Sequence, residues 1–257
     1  MKNVFRHRLT SFLFCSFLFT PFCQAENAVN GPDRFRVGIG FKSESSHFIG
    51  VENETMVIPR VDIKYAGFYW RGPKLGYRVI ENKNFEIAAV LRPFEGFEVN
   101  SADIRKGYKG INEREGDIQY GFNASFSLGN FKAGITPLWS AEGNNLELSL
   151  KYKIIGESYI IKPEITYQRY DDDSMNYYFG ITAKEANDPL SYLIDSPYTA
   201  KSNGTFGLKV IGAYLLSENW FVMGRLSYDK FGSDVLDSPI VNSASTASFA
   251  LGVGYNF

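Results

Sequence analysis

Thiol and imidazole groups are almost missing from this 257-residue chain, which has 2 Cys and 2 His. Cys15, Cys23 and His7 all lie near its start, so His47 stands alone in the remainder. Everything after Cys23 is therefore without a disulfide framework, a thiolate metal site or a cysteine nucleophile. A zinc centre built on one histidine would be exceptional, and no cofactor is expected. No apolar run reaches the ~18 residues that suggest a membrane-spanning helix. Linkers rich in Pro and Ser are lacking, as is any shift in composition that would divide the chain. Basic tails and patches are also absent, which argues against nucleic acid as a partner.

The first residues are organised differently. Lys2, Arg6 and Arg8 occur without an acidic neighbour, and Leu9–Phe22 is an apolar stretch too short to span a bilayer. Cys23-Gln24-Ala25 then sets small residues at −3 and −1 of a cut before Glu26. Together these are the parts of a secretory signal peptide over 1–25. A lipoprotein anchor on Cys23 is the competing arrangement, but Thr20-Pro21-Phe22 lacks the small residues it requires. Processing removes three of the 27 basic residues and none of the 28 acidic ones, leaving a mildly acidic chain over 26–257.

What the chain has in quantity is aromatic residues and glycine: 22 Phe, 16 Tyr and 24 Gly. Apolar and polar residues alternate over short segments separated by turn signals, which reads as all-β. RFRVGIGFK sets Phe35, Val37, Ile39 and Phe41 against Arg34, Arg36 and Lys42. LELSLKYKI sets Leu146, Leu148, Leu150, Tyr152 and Ile154 against Glu147, Lys151 and Lys153. VIPRVDIKY, KLGYRVI, FEIAAVLRP, DIQYGFNASFSL, FKAGITP, YIIKPEITY, YYFGITA, TFGLKVIGAY, NWFVMGRLSY and FALGVGYNF complete a set of twelve.

Alternation alone does not say which face is wet. A soluble barrel has an apolar interior, whereas a membrane barrel turns its apolar face to lipid. Aromatics near segment ends favour the membrane, as interfacial girdles require: Tyr65 and Trp70, Tyr167 and Tyr170, Tyr177 and Tyr178, Trp220 and Tyr228. So does the bulk of the apolar faces, and so does the terminal segment. Phe249, Leu251, Val253, Tyr255 and Phe257 share one face of that last strand, which a closed barrel pairs with the first. The expectation is a transmembrane antiparallel up-and-down β-barrel of about twelve strands in a Gram-negative outer membrane. Pro163 sits inside one expected strand and predicts a bulge or displaced boundaries. With both termini periplasmic, this strand set places the segment 94–116 in the periplasm.

Candidate chemistry is sparse. His47 lies in SESSHFIG, where it is either a hydrolase base or a solvated loop residue, and no Gly-x-Ser-x-Gly turn accompanies it. Asp171–Asp173 is either a calcium site or a turn. The inner-face charges Arg34, Arg36, Arg60, Asp62, Lys64, Glu147, Lys151, Lys153, Lys162 and Glu164 either set the selectivity of a pore or pair across a filled lumen.

The last third resembles the MipA/OmpV family of outer-membrane proteins. The resemblance is carried by NYYFGITAKEA (176–186), AYLLSENWFVMGRLSY (213–228), DSPIV (237–241) and LGVGYNF, and more loosely by IPRVDIKYAGFYWRGPKLGYRV and GINEREG. It implies a non-enzymatic barrel embedded in outer-membrane lipid, acting as a scaffold for a murein lytic transglycosylase and a murein synthase. Small-solute porins and surface adhesins or antigens are the alternatives it brings. The terminal strand is similar to the signal by which the barrel assembly machinery recognises its clients, so Phe249, Leu251, Val253, Tyr255 and Phe257 are read either as that signal, with Phe257 at the periplasmic rim, or as ordinary barrel closure. Asp237, Ser238 and Pro239 match a family loop whose residue types favour a structural turn.

Overall fold

The structure is a computed structural model that describes residues 33–257. The expected signal peptide, 1–25, lies outside the described residues.

Thirteen strands form one antiparallel sheet that closes on itself. In chain order they are β1 Arg34–Glu44, β2 Glu54–Tyr65, β3 Phe68–Arg71, β4 Lys74–Glu81, β5 Phe85–Glu95, β6 Asp117–Leu128 and β7 Phe131–Ser140. They continue as β8 Gly143–Tyr152, β9 Ile154–Ile155, β10 Tyr159–Tyr170, β11 Asn203–Leu215, β12 Trp220–Phe231 and β13 Ser245–Asn256. The two-residue β9 extends β8 along the same edge of β10, so the ring has twelve positions. Every neighbour in sequence is a neighbour in space, and the last strand pairs with the first from Arg36↔Asn256 to Glu44↔Ser248. Closure leaves a full ring without a free first or last strand, as a bilayer demands.

The two faces are those that the alternation predicts. Ile39, Val57, Phe122, Leu148, Leu208, Leu226 and Leu251 are all exposed on the outside. Aromatic rings form bands at both ends of the wall. Phe35–Phe257, Tyr255–Phe257 and Trp220–Tyr255 lie 5.0, 4.9 and 5.2 Å apart at the end that holds the termini. Phe41–Phe249 and Tyr120–Trp139 mark the other end at 5.5 and 6.4 Å. Of the expected girdle residues, Tyr65, Trp70, Tyr167, Trp220 and Tyr228 point outward. Tyr170 and Tyr178 do not: both are buried in the loop layer described below, against which Tyr177 also packs.

The strand count agrees with expectation, but through two departures that cancel. The expected strand Tyr177–Ala183 is helical over much of its length, within α1 Asp172–Phe179 and at the start of α2 Ala183–Ala186. Its caps explain why. Asp171 accepts from the Ser174 N–H, and Thr182 with Glu185 forms a reciprocal capping box. The strand that sequence periodicity missed is β3, at 4 residues too short to show a period. It follows a tight turn at Ala66-Gly67 with positive φ at both residues, 47° and 86°, the geometry that suits a two-residue hairpin.

Exchanging one strand for the other reverses the direction of everything between them. The segment 94–116 therefore stands at the end opposite the termini, together with the loops 45–53, 171–202 and 232–244. Short turns at 66–67, 82–84, 129–130, 156–158 and 216–219 occupy the end with the termini. Short turns mark the periplasmic side and long loops the outside, so the periplasmic placement expected for 94–116 is corrected. Pro163 lies inside β10 after all. The ladder to β8 and β9 is interrupted opposite it, and the register resumes unchanged from Glu164↔Lys151 to Ile161↔Ile154.

Topology can be checked by labelling, because the chain after Cys23 is free of cysteine. A Lys106→Cys protein is expected to react with a membrane-impermeant maleimide in whole cells. Lys83→Cys is expected to react only after the outer membrane is permeabilised.

Candidate functional site: a capped mouth above a charged lumen

Four loops from around the ring meet over the outer mouth and share an apolar core. Phe48 comes from the first, Val99, Ile104 and Ile111 from the second, Met175, Phe179, Ile181 and Ile194 from the third, Val235 and Ile240 from the fourth. Main-chain hydrogen bonds join them: Ile49 N–H donates to Ile240 O, Arg105 N–H to Ile49 O, and Leu193 N–H to Gly107 O. The cap reaches across the mouth. Phe97 follows β5, Phe231 ends β12, and these strands are six places apart on the twelve-place ring, yet their rings lie 5.1 Å apart.

Two of the quoted motifs are joined here. The Ser238 hydroxyl of DSPIV donates to Phe179 O of NYYFGITAKEA at 2.6 Å, and Ile240 beside it is fully buried. For Ser238 this contact is of the structural kind expected of the loop. Glu185 of the same motif is a buried carboxylate that anchors two loops. It accepts from the Arg114 guanidinium and the Asn112 N–H at 2.8 Å each and from Thr182 N–H and Oγ1 at 2.8 Å each. Burial pushes its carboxyl up, but the hydrogen bonds from Thr182, Asn112 and Arg114 outweigh burial and hold it below the ordinary range. Arg114 also donates to Gly180 O, which ties the second loop to the third.

His47 is not the solvated loop residue that one of its two readings expects. It is buried among the rings of Phe48, Phe97, Phe179 and Phe231, with centroids 4.6 to 5.7 Å away. Neither ring nitrogen has a hydrogen-bond partner among the described residues. The aspartates at 171–173 start a helix rather than forming a turn between strands, Asp171 as its N-cap and Asp172 and Asp173 in its first turn. Asp171 binds Ser174 N–H and both the main-chain N–H and the side-chain amide of Asn144, and Asp172 accepts from Ser202 N–H. Among the described residues no three His, Cys, Asp or Glu gather as metal ligands.

Beneath the cap the lumen is crossed by ion pairs. Arg92 holds Glu147 by two bonds at 2.9 and 3.1 Å, reaching over the two strands between β5 and β8. Arg78 contacts Glu86 at 3.2 Å, Lys132 contacts the same carboxylate at 3.3 Å, and Lys151 meets Glu164 at 3.1 Å. Arg34 meets Asp62 at 2.8 Å, and Lys64 stands 3.9 Å from Glu81. Other cations have no such partner. Arg60, Lys162, Lys209 and Arg225 make no ion pair or hydrogen bond among the described residues. Of the expected lumen residues, Arg34, Asp62, Lys64, Glu147, Lys151 and Glu164 are thus paired, while Arg60 and Lys162 are not. Arg36 donates to the Asn256 side chain at 3.0 Å, and Lys153 lies opposite Lys162 near the periplasmic rim.

A closed antiparallel ring with an apolar exterior, aromatic bands at both ends and a charged lumen defines an outer-membrane β-barrel. A family profile described as "MltA-interacting protein MipA" matches residues 37–257. The chain belongs to that family. It is 24% identical over 234 residues to the 24 kDa outer membrane protein of Pasteurella multocida, covering 86% of this chain and 90% of that protein. It is 22% identical to the MltA-interacting protein of Escherichia coli K12 over 232 residues, 87% of this chain and 90% of that one. Among solved structures, the NanC porin is similar at a TM-score of 0.47 and 12% identity, over 87% of this chain and all of that chain.

Two tests address the cap. Arg114→Met leaves Glu185 buried without its cation, a loss of about 3–5 kcal/mol, and is expected to expose 96–116 to protease in folded barrels. The second test is acidity. Burial lowers His47 from 6.5 to about 4, whereas in an opened cap it regains ~6.5. Only the open state then takes up a proton, so cap stability is full above pH 6.5 and falls as pH drops towards 4, by about 3 kcal/mol in all. Protease susceptibility measured from about pH 7 down to about 5, above the ordinary carboxylate range in which Glu185 begins to take up a proton, should rise in the native protein and stay flat in His47→Leu.

Proposed function

We propose that the protein is a non-enzymatic outer-membrane barrel, closed to free diffusion, that serves as a fixed anchor for murein-processing enzymes. The observation that carries the closed state is the ring contact between Phe97 and Phe231 across the mouth. The anchor role is supported by family membership and by a relative named MltA-interacting protein. A murein lytic transglycosylase and a murein synthase are the corresponding partners. They would meet the periplasmic rim, made of the short turns and the ends of β1 and β13, because 94–116 faces the other way. An enzymatic role has little support: the one histidine of the described residues is enclosed by phenylalanines.

The outward face of β13 supports a second proposal, that Phe249, Leu251, Val253, Tyr255 and Phe257 form the signal read by the barrel assembly machinery. Phe249, Leu251 and Phe257 are exposed to the lipid side, and Phe257 sits at the end of the chain beside Phe35.

A small-solute channel is the alternative, favoured by the unpaired lumen cations. Planar-bilayer recordings of the purified protein separate the two. The closed barrel is expected to give no resolved steps, and a tagged copy is expected to bring a murein lytic transglycosylase with it from detergent extracts. Reproducible steps with an anion preference that weakens in a Lys209→Gln, Arg225→Gln protein would replace the anchor with the channel.

A further inference from the structure

The barrel wall is incomplete on one side. β3 has 4 residues and turns back at Gly72-Pro73 into β4. It covers β2 only from Asp62 to Tyr65, and β4 covers β5 no further than Leu91. Beyond those points, among the described residues, β2 pairs with β1 alone and β5 with β6 alone, and no ladder joins β2 to β5. With strands ~4.8 Å apart, the three spacings from β2 to β5 leave a notch on the order of 14 Å wide at its floor. A strand as short as β3 rises only ~10–13 Å, against an apolar belt ~25 Å tall. The notch therefore opens into the leaflet on the capped side.

Its β2 edge is an unpaired strand. Gly72 N–H donates to Val61 O at 2.9 Å. That bond fixes the parity of β2, so that Thr55, Val57 and Pro59 direct their main-chain groups into the notch. Pro59 has no N–H to leave bare, as befits an edge, but the remaining amides and carbonyls are costly against hydrocarbon. Met56 and Val57 are 38% and 71% exposed, so no cap loop covers them.

At the floor of the notch, on the lumen side, cations gather. Arg71 ends β3, Arg60 lies beside it on β2, and Arg34 and Arg36 lie on β1. Asp62 is the acidic residue among them, and it is already engaged by Arg34 at 2.8 Å and Arg71 at 3.6 Å. Arg60 feels Asp62, Arg71, Arg36 and Arg34 without bonding to any of them. Lys162 faces Arg71, Arg34 and Asp62 from the far wall. Beside Arg60 the wall carries no side chain at Gly38, Gly40 and Gly252, and the Phe221 ring lies over Gly254.

We propose that this notch is a lateral binding site for an anionic amphiphile of the membrane. Its acyl chains stay in the leaflet against Val57 and Leu91, and its phosphate group enters the lumen at Arg60 and Arg71. Guanidinium groups match phosphate oxygens by paired, charge-assisted hydrogen bonds. A polar headgroup in the notch also supplies partners for the bare edge of β2, which acyl chains alone do not. Without a counter-ion such clustered cations repel one another, a cost in stability typical of binding sites.

Native mass spectrometry of the protein released from micelles tests this, with phosphatidic acid and phosphatidylcholine as probes and glycerol 3-phosphate as a competitor without chains. Phosphatidic acid is expected to be retained roughly tenfold or more over phosphatidylcholine, the size of a charge-assisted contact. An Arg60→Gln, Arg71→Gln protein should lose that preference, while Lys132→Gln, which alters a pair elsewhere in the lumen, should keep it. Arg60→Gln alone removes no existing bond, so it should fold as the native protein does, judged by heat-shifted gel mobility, and still weaken retention. Equal retention of both lipids, or a preference that survives the double substitution, overturns the proposal. So does displacement by equimolar glycerol 3-phosphate, which would mark a site for soluble phosphates. A lipid-free dimer would instead mean that the β2 edge pairs with a second copy, and also overturns it.

Discussion

The barrel wall follows from a solvent that offers no hydrogen bonds. In hydrocarbon a main-chain amide or carbonyl must find its partner within the protein, so a sheet placed there must close. The pairing of β13 with β1 is where that requirement is met, from Arg36↔Asn256 to Glu44↔Ser248. Closure fixes what each side chain faces. Residues of one parity meet lipid and are apolar, and residues of the other meet a lumen where charges can persist only by pairing or by staying wet. The ion pairs Arg92–Glu147, Arg78–Glu86 and Lys151–Glu164 are the first solution. The cations around Asp62 are an exception to it.

The loops obey a different rule. Above the membrane water is available, and the cap is built as a soluble domain would be, around an apolar core with helix caps and a buried ion pair. This explains the division of labour in the chain. Strands carry a two-residue period imposed by lipid, whereas NYYFGITAKEA and DSPIV carry helix-capping and turn residues imposed by packing. Their meeting at Ser238 and Phe179 makes the cap one body rather than four separate loops.

Most of the barrel was legible in the sequence because the two faces of a membrane strand differ so strongly in polarity. RFRVGIGFK and LELSLKYKI announce β1 and β8 with their correct faces. What failed did so for physical reasons. Tyr177–Ala183 alternates like a strand, but Asp171-x-x-Ser174 and Thr182-x-x-Glu185 are helix-start signals, and capping outweighed alternation. β3 could not be read because four residues hold no period, and Ala66-Gly67 is a weaker hairpin signal than Asn-Gly. One missed strand was enough to send 94–116 to the wrong side. The cap and its ion pair between Arg114 and Glu185 were hidden because they join residues 71 apart in sequence. The aromatic enclosure of His47 was hidden likewise, since only the fold brings Phe48, Phe97, Phe179 and Phe231 together.

The interlocking of the four loops also determines what the outside world meets. Met175, Phe179, Ile181 and Ile240 are turned inward, while Leu190, Tyr192 and Leu236 from the same loops face out. The surface offered to an antibody or a phage is thus a mosaic drawn from distant stretches of chain. A linear peptide copied from any one loop would display residues that the folded protein hides, and immune recognition raised against it would largely miss the living cell.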